Sequence, residues 1–305
     1  MTQNPRSIVI GSSLERASDA VLATALELSR ATGAELHLVH AFPMPAIYSG
    51  AAMTGGALLP TTDYELDRCR GALDRQLERV GASRDALKSL VLEPGPAHLW
   101  LHETAEAKSA DLVVVGAHEG SALTSVLGST ADRVLRKASC PVLVVRDRLR
   151  LPIETVMAPT DLSPLARTSL ERGMGWLADL GQEAPPQVTL LFVLSRVDRE
   201  GSVHFTPEQV DRFAQLELER FATKLPLGER APKLRVRVGA ARQEITADLE
   251  ESPADLVIVG THGRSGFERL MLGSIAEGIV RRAPGNVLVV PPTPAEAARA
   301  AAAGG

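Results

Sequence analysis

Two glycines and a Gly-Ser pair in the second half of the chain have a spacing that suits the binding of a phosphate group. Gly260 and Gly263 follow an apolar run, and nine residues separate Gly263 from Gly273-Ser274. Glycines let backbone N–H groups approach an anion closely, and a helix that begins at Gly273-Ser274 would direct its positive N-terminus at the same group. Arg264 or Arg269, between the second glycine and the Gly-Ser pair, could supply a cation to it. From these residues alone, a turn followed by a helix cap without any ligand is an equally good interpretation.

An acidic residue follows the first apolar run of the same half, in the sequence Pro159-Thr160-Asp161. Its carboxylate could accept hydrogen bonds from ribose hydroxyls or from adenine, or it could simply cap the helix that begins at Pro164. Ligands of open α/β sheets bind beyond the carboxyl ends of the strands, where the strand order reverses. Because the acid and the glycine loop would both lie at that edge, the combination favours a nucleotide site over a purely structural role.

The chain repeats itself, and the repeat determines how these residues are positioned. Three segments recur in the same order: residues 110–116 as 254–260, residues 127–129 as 272–274, and residues 142–145 as 287–290. Collinear matches at a nearly constant spacing indicate a tandem duplication with a one-residue insertion or deletion. We therefore expect one domain over residues 1–147 and a second over residues 153–292, followed by an Ala-rich tail over residues 293–305.

Each half alternates Val/Ile/Leu-rich runs with segments of helical length. The second half, for example, predicts strands near Val156-Met157, at 188–194 and at 256–259. Continuous apolar runs between helices are typical of a parallel sheet that is covered on both faces. Aromatic residues make up only 3% of the chain against 45% hydrophobic residues, which fits an aliphatic core under Ala-rich helices. The predicted fold is α/β, with a doubly wound sandwich in each half.

Composition and charge exclude several classes of protein. The formal net charge is -4, so no overall positive field attracts nucleic acid, and the scarcity of aromatic residues disfavours base stacking. Residues 36–62 contain no charged residue, but Pro43, Pro45 and Pro60 prevent a continuous membrane-spanning helix. The first residues lack the regions of a signal peptide, and the two cysteines have no metal-ligand spacing. These features predict a cytoplasmic protein that binds neither nucleic acid nor a membrane.

Two further patterns have weaker functional interpretations. Gly173-Met-Gly175-Trp-Leu-Ala178 fits a dinucleotide-binding fingerprint, but it lies inside a predicted helix, so we expect close helix packing there. His37 and His40 lie on one predicted strand, and we expect them to share a face. A zinc site would need a third ligand, which the local sequence does not offer.

The glycine pattern resembles the ATP-binding signature of universal stress proteins, G-x2-G-x9-G-[ST], over Gly260, Gly263 and Gly273-Ser274. Pro159-Thr160-Asp161 and residues 287–290, as the last strand, are also similar to that family, and the resemblance covers nearly the whole chain as two copies. It implies an adenine nucleotide alpha hydrolase-like fold, with a five-stranded parallel sheet in the order 3-2-1-4-5 in each domain. It further implies that the two domains are related by a pseudo-twofold axis and pair through their last strands, while a homodimer of the whole chain stays open.

The resemblance implies roles for individual residues. Asp161, after Pro159 and Thr160, would hold the ribose or the adenine, and the backbone of Val193 would contact the adenine. The residues implied to line the phosphates are Gly260, Gly263, Gly273, Ser274 and Ile275. His262, between two of these glycines, could contact a phosphate or could equally be a turn residue that faces the solvent. The implied ligand is ATP, with AMP or ADP as alternatives, and a Mg2+ ion could accompany it; no residue is implied to be catalytic.

The first half departs from this signature at two positions. Glu119 stands where Gly263 stands, which puts a carboxylate near the implied phosphates, and Ser13 stands where Asp161 stands. Like charges a few ångströms apart in a partly desolvated cleft repel by several kcal/mol at an effective dielectric of about 20. We therefore expect a degenerate first site and one nucleotide per chain. The alternative is a different register, in which Gly120 takes the place of the second glycine.

Together these features favour a nucleotide-binding regulator of the stress response over an enzyme. The alternative is a slow ATP-hydrolysing or adenylating enzyme on the same fold, which would need a general base, a cation clamp or a metal ligand near the phosphates. The sequence contains no P-loop motif G-x-x-x-x-G-K-[ST]. A dimerisation module without a ligand is a third interpretation, and it fits the first half better than the second.

Overall fold

Strands and helices alternate twice along the computed structural model, which describes residues 6–43, 62–117, 127–201, 204–261, 272–293 and 295–296. The first half contains β1 (Ser7–Gly11), α1 (Asp19–Thr32), β2 (Glu35–Phe42), α2 (Thr62–Arg79), β3 (Ser89–Pro94), α3 (Ala97–Ala107), β4 (Leu112–Gly116), α4 (Ser129–Lys137) and β5 (Val142–Val145). The second half contains β6 (Thr155–Thr160), α5 (Pro164–Asp179), β7 (Gln187–Leu194), α6 (Arg196–Glu200), α7 (Pro207–Ala222), β8 (Lys233–Val238), α8 (Ala241–Glu251), β9 (Leu256–Gly260), α9 (Ser274–Arg282) and β10 (Asn286–Val290).

The described strands form one mostly parallel sheet in the order β3-β2-β1-β4-β5-β10-β9-β6-β7-β8. Each half therefore has the strand order 3-2-1-4-5, and the predicted fold class is confirmed. The chain changes direction across the sheet between β1 and β4 and again between β6 and β9, so a crevice is expected at the carboxyl ends of each pair. The halves meet where β5 runs antiparallel to β10, with Leu143 opposite Leu288.

β6 is longer than the sequence predicts and includes Pro159. It pairs with β7 along its whole length, from Thr155 to Thr160. Its pairing with β9 covers Val156 and Met157. The ladder of β1 with β4 likewise ends before the last residue of β1, at Ile10. In each half the first and fourth strands therefore stop pairing before their carboxyl ends, where a crevice is expected.

Aliphatic side chains cover both faces of the sheet. On one face, buried residues of α1, α2, α5 and α7 pack on the strands, for example Leu22 and Leu218. On the other face the same is true of α3, α4, α8 and α9, for example Leu101 and Ile279. Both clusters contain residues from the two halves, so the core continues across the junction. This is the arrangement that aliphatic runs buried on both faces require.

Polar contacts fix the junction between the halves. Asn286 Oδ1 accepts hydrogen bonds from the N–H groups of Arg146 (2.9 Å) and Asp147 (3.3 Å). The Arg146 guanidinium donates to the carbonyl oxygens of Val280 (2.7 Å) and Arg281 (2.9 Å), near the end of α9. A cation is stabilised at that end because the last carbonyl groups of a helix carry its negative dipole.

Two salt bridges repeat each other across the same junction. Arg136 Nη2 of α4 lies 3.7 Å from Glu277 Oε2 of α9, and Arg281 Nη2 of α9 lies 3.8 Å from Asp132 Oδ1 of α4. Each helix thus supplies an acid to its partner's arginine. The reciprocity is what a pseudo-twofold relation between the halves produces.

Candidate functional site

The carboxyl ends of β6 and β9 border a cavity of about 310 Å³ in the second half. Every predicted site residue that the structure describes lines this cavity: Pro159, Thr160, Asp161, Val193, Gly260, Gly273, Ser274 and Ile275. The other residues of its wall are Ala166, Ala241, Ile245, Val259, Thr261 and Ala276. Three predicted residues, His262, Gly263 and Arg264, lie outside the described residues.

The turn after β6 positions Asp161. Thr160 Oγ1 accepts a hydrogen bond from the N–H of Leu162 (3.0 Å), and Asp161 Oδ1 accepts one from the N–H of Ser163 (3.0 Å). Leu162, between them, has a positive φ of 64°. Ser163 then caps α5 by accepting from the N–H of Ala166, with Pro164 at the first helical position. The helix therefore has its own cap, and Asp161 holds the turn at the mouth of the cavity.

The opposite side of the cavity is the start of α9. The N–H of Gly273 donates to the carbonyl oxygen of Thr261 (2.8 Å), which ties the end of β9 to the beginning of the helix. Gly273 is the N-cap and has no side chain that could bond to the first N–H groups of the helix. Ser274 is the first helical residue. The first N–H groups of a helix carry partial positive charge, and anions bind there. This end of the cavity suits a phosphate.

The wall between these two ends is apolar. Val193, Ile245, Val259 and Ala276 belong to the hydrophobic cluster on this face of the sheet. Pockets for flat organic groups are lined mainly by such side chains, with a few polar groups that fix the orientation. An adenine base therefore fits between the acid at one end and the helix start at the other.

Ala241 and Ile245, on α8, are among the six wall residues that were not predicted from the sequence. The helix follows Gly239, whose φ of 157° lies where side chains are rarely accommodated. A glycine after the third strand, followed by small and branched apolar residues four apart, is the signal that could have identified them. The spacing puts both residues on the helix face that turns towards the crevice.

The described wall offers the hydrogen-bond acceptors and donors that an adenine nucleotide needs. Asp161 offers carboxylate oxygens towards hydroxyl or amino groups, and the start of α9 offers N–H groups. Within the described ranges, no group of three His, Cys, Asp or Glu side chains is arranged to hold a metal ion. The residues present therefore fit an adenine nucleotide, and Asp161 is the carboxylate in the described part of the wall.

The prediction for the two strand histidines is wrong. Residues three apart on a strand point to opposite faces of the sheet, because side chains alternate with period two. His37 Nδ1 lies 2.7 Å from Ser89 Oγ, and His40 Nδ1 lies 2.9 Å from the carbonyl oxygen of Ser12. The two rings thus have separate partners on the two sides of β2.

The prediction for the Gly173 motif is confirmed. A Cβ placed on Gly173 would lie 2.5 Å from Ile258 Cγ2, well inside van der Waals contact. The glycine lets α5 approach β9 closely, which is a packing role and not a dinucleotide loop.

Family membership follows from the sequence of both halves. Residues 5–146 and residues 152–291 each match the profile of the universal stress protein family. The chain belongs to this family.

Two universal stress proteins illustrate the similarity. Universal stress protein A homolog 2 of Coxiella burnetii is 32% identical over 144 residues, which are 47% of this chain and 96% of that protein. A universal stress protein of Mycolicibacterium smegmatis is 33% identical over 198 residues, covering 61% of this chain and 63% of that protein. The match thus spans less than two thirds of the second relative's length.

Solved structures show the same tandem fold over the whole chain. A putative universal stress protein from Pseudomonas aeruginosa has a TM-score of 0.67 at 18% identity and covers 100% of this chain and 99% of its own. A functionally unknown protein from the same species has a TM-score of 0.68 at 17% identity, with coverages of 98% and 96%. No helix in the described ranges is both long enough and apolar enough to cross a membrane.

Proposed function

We propose that this universal stress protein binds ATP, or another adenine nucleotide, in the cavity of its second half. The observation that carries the proposal is the cavity at the strand-order reversal of the second half, bordered by Asp161 on one side and by the start of α9 on the other. In open α/β sheets this is where nucleotides bind. The proposed role is regulatory, in a cytoplasmic response to stress.

Each part of the wall has a matching part of the nucleotide. Val193 and the apolar residues around it hold the adenine, and Asp161 accepts hydrogen bonds from the ribose. The phosphates lie at Gly260, Gly273, Ser274 and Ile275, beside the loop that contains His262, Gly263 and Arg264. In this proposal Arg264 or Arg269 supplies a cation to them, since an arginine guanidinium can donate two parallel hydrogen bonds to phosphate oxygens.

A slow ATP-hydrolysing or adenylating enzyme is the competing function. Phosphoryl transfer depends on positioned charges and a group that orients the nucleophile. In the described part of the wall, Asp161 is the ionisable residue, and it already accepts a hydrogen bond from its own turn. This arrangement favours retention of the nucleotide over turnover.

Mass spectrometry of the released ligand and calorimetric titration test the proposal together. The purified chain is denatured and its small molecules are analysed, and the ligand-free chain is then titrated with ATP. We expect an adenine nucleotide in the released fraction and a stoichiometry near one per chain, with binding abolished by Gly263→Glu, which introduces the first half's carboxylate.

Three results would contradict it. A stoichiometry near two would mean that the first half binds ATP as well. Unchanged binding in folded Gly263→Glu would place the ligand elsewhere. Rapid phosphate release on addition of ATP would favour the enzyme.

We propose in addition that the two halves act as an intramolecular pair joined through their last strands. The antiparallel contact of β5 with β10 and the reciprocal salt bridges of Arg136 and Arg281 support this. Such pairing satisfies the edge that each five-stranded sheet would otherwise expose. Sedimentation equilibrium of the full chain should give the monomer mass; a dimer mass would indicate that whole chains also associate.

A further inference from the structure

Another cavity of the second half lies at the opposite edge of the sheet, next to the amino end of β7. Its volume is about 250 Å³, and it is enclosed by the end of α5, by residues 182–186 before β7 and by residues 226–228 after α7. We call it the amino-end cavity. The cavity proposed for the nucleotide includes Val193, near the carboxyl end of the same strand, so the two cavities are separate sites.

The floor of the amino-end cavity is part of the hydrophobic core. Met174, Leu177 and Val188 line it, and each of them is only 3–4% exposed. All three belong to the cluster that packs on this face of the sheet. The rim includes Pro185 and Pro226, which are exposed. The cavity is therefore a cleft that leads from the surface to core side chains between two loops.

One wall of this cavity is an insertion that the first half lacks. Glycines with positive φ follow α1 and α5, namely Gly33 (75°) and Gly181 (64°). A single residue, Ala34, then leads to β2, whereas residues 182–186 lead to β7. The two strands start in the same register against β1 and β6, so the comparison is direct. The fold thus completes this edge of the sheet without the extra residues.

The first half has polar residues where the cavity has apolar ones. With α1 and α5 aligned on their two glycines, Leu177 and Ala178 correspond to Ser29 and Arg30. Ser29 Oγ donates to the carbonyl oxygen of Ala34 (2.7 Å) and so closes the short turn. The apolar lining is therefore not a requirement of the fold, and a ligand is the remaining reason for it.

The two loops around the cavity support each other. A Cβ placed on Gly228 would lie 3.4 Å from Pro185 Cβ, an ordinary van der Waals distance, so the loops meet at this end of the cavity. Proline fixes φ, and Pro185, Pro186 and Pro226 all line the cavity. Walls that are already rigid lose little conformational entropy when a ligand binds.

Gln182 is the polar side chain of the described lining. Its Oε1 accepts a hydrogen bond from the N–H of Ile153, which follows the linker between the halves. That bond orients the amide, so Nε2 is left as a donor, and it has no partner among the described residues. The lining residues that the structure describes are all uncharged. The cavity therefore offers an apolar floor, one free donor and no charge.

We infer that the amino-end cavity binds a small neutral molecule that has an apolar ring and one hydrogen-bond acceptor. A cavity of about 150 Å³ holds benzene, so this volume accommodates one ring with a short substituent. The ring packs on Met174, Leu177 and Val188, and the acceptor, such as a carbonyl oxygen, bonds to Gln182 Nε2. A charged molecule is rejected because it would lose its hydration without gaining a partner.

NMR titration of the full-length chain with isotope-labelled methionine methyl groups tests this, because Met174 lies in the floor. The probes are acetophenone, which has a ring and a carbonyl oxygen, ethylbenzene, which has no acceptor, and benzoate, which is charged. Acetophenone should shift the Met174 signal, assigned with Met174→Leu, until the shift saturates. Benzoate should not shift it.

Gln182→Glu tests the donor, because it keeps an acceptor for the N–H of Ile153 and removes the Nε2 donor. It should weaken acetophenone binding by about two- to tenfold, the loss of one hydrogen bond. Ethylbenzene binding should stay unchanged, since it makes no such bond.

Ala178→Arg tests the location, because it introduces the first half's residue at an exposed position of the wall. It should remove the saturable shift. Ala107→Arg, at an exposed position at the end of α3, is the matched control and should leave the shift unchanged.

The inference is overturned if acetophenone causes no saturable shift at Met174, or if benzoate causes the same shift. It is also overturned if folded Ala178→Arg, checked by circular dichroism, binds acetophenone like the parent chain. Should Ala178→Arg not fold, Gln182→Glu decides: unchanged acetophenone binding, or an equal loss for ethylbenzene, contradicts the inference.

Discussion

Ser13 and Asp161 occupy the same position in the two halves of the protein. Ser13 Oγ accepts a hydrogen bond from the N–H of Glu15 (3.3 Å), as Asp161 Oδ1 does from that of Ser163 (3.0 Å). The leucines between them have almost the same φ, 62° and 64°. The turn is therefore the same in the two halves. Because Ser13 forms it without a carboxylate, the turn does not require the carboxylate of Asp161.

Asp161→Ser should therefore weaken ATP binding and leave the fold intact. Serine keeps the turn acceptor, as Ser13 shows, but it removes the charged acceptor proposed for the ribose. Hydrogen bonds to charged groups contribute about 1.5–3 kcal/mol, which corresponds to roughly 10- to 100-fold in the dissociation constant. Titration calorimetry measures the binding, and urea unfolding should show nearly unchanged stability.

Asp147→Ser is the matched control for this substitution. Asp147 is an exposed aspartate that also accepts a bond from a neighbouring N–H, that of Arg148 (2.8 Å), and it lies outside the cavity. It should leave ATP binding unchanged. Equal weakening by the two variants would show that Asp161 acts only through overall charge.

Stability should fall as the pH is lowered from about 7.5 to about 5.5, because His37 of β2 is buried and His40 of the same strand is partly buried. Burial lowers the pKa of His37 and of His40 below the usual 6.5. The unfolded chain then takes up protons at a pH where the folded chain does not, so protonation favours unfolding through this window. Carboxylates such as Glu27, whose pKa is lowered from 4.5, act only at lower pH.

Urea unfolding at the two pH values measures this effect, and His37→Gln provides the comparison. Glutamine does not titrate, and its amide can still meet Ser89. The variant should lose less stability on acidification than the parent chain. Identical pH dependence in the two proteins would show that His37 is readily protonated in the folded state.

The fold could be predicted because the repeat and the aliphatic runs can be recognised directly in the sequence. The extent of a strand could not be predicted where it depends on which neighbouring strand pairs with it. The apolar residues predicted a first strand near Val156-Met157, yet β6 continues through Pro159 to Thr160, paired with β7 along its whole length. Gln76 is buried, and its amide bonds to Ser12 and Ser18 in a turn far away in the chain, so no local pattern shows what this glutamine contacts.

Gly173→Ala should destabilise the protein although alanine favours helices. The new Cβ would meet Ile258 Cγ2 at 2.5 Å, and overpacking a core costs about 1–3 kcal/mol. Helix propensity returns about 1 kcal/mol, so we expect a net loss of about 1 kcal/mol. Gly71→Ala on α2 is the control, since its Cβ would lie 3.5 Å from Arg75 Nη1, an ordinary contact. Gly71→Ala should raise the free energy of unfolding. A rise in both variants would contradict the packing role of Gly173.

The junction between the halves should depend more on Asn286 than on the paired charges around it. Asn286 is buried, with 5% of its surface exposed, and Asn286→Ala would leave the N–H groups of Arg146 and Asp147 without their acceptor. An unsatisfied buried group costs about 1–3 kcal/mol. Asn286→Asp keeps Oδ1 and should restore most of that loss.

A double-mutant cycle on Arg136 and Glu277 provides the comparison. Both side chains are about one-third exposed and lie 3.7 Å apart, so alanine substitutions should reveal a coupling of about 0–1 kcal/mol, smaller still at high salt. Urea unfolding measures all of these variants. A coupling larger than the cost of Asn286→Ala would mean that the reciprocal charges, and not the buried amide, hold the halves together.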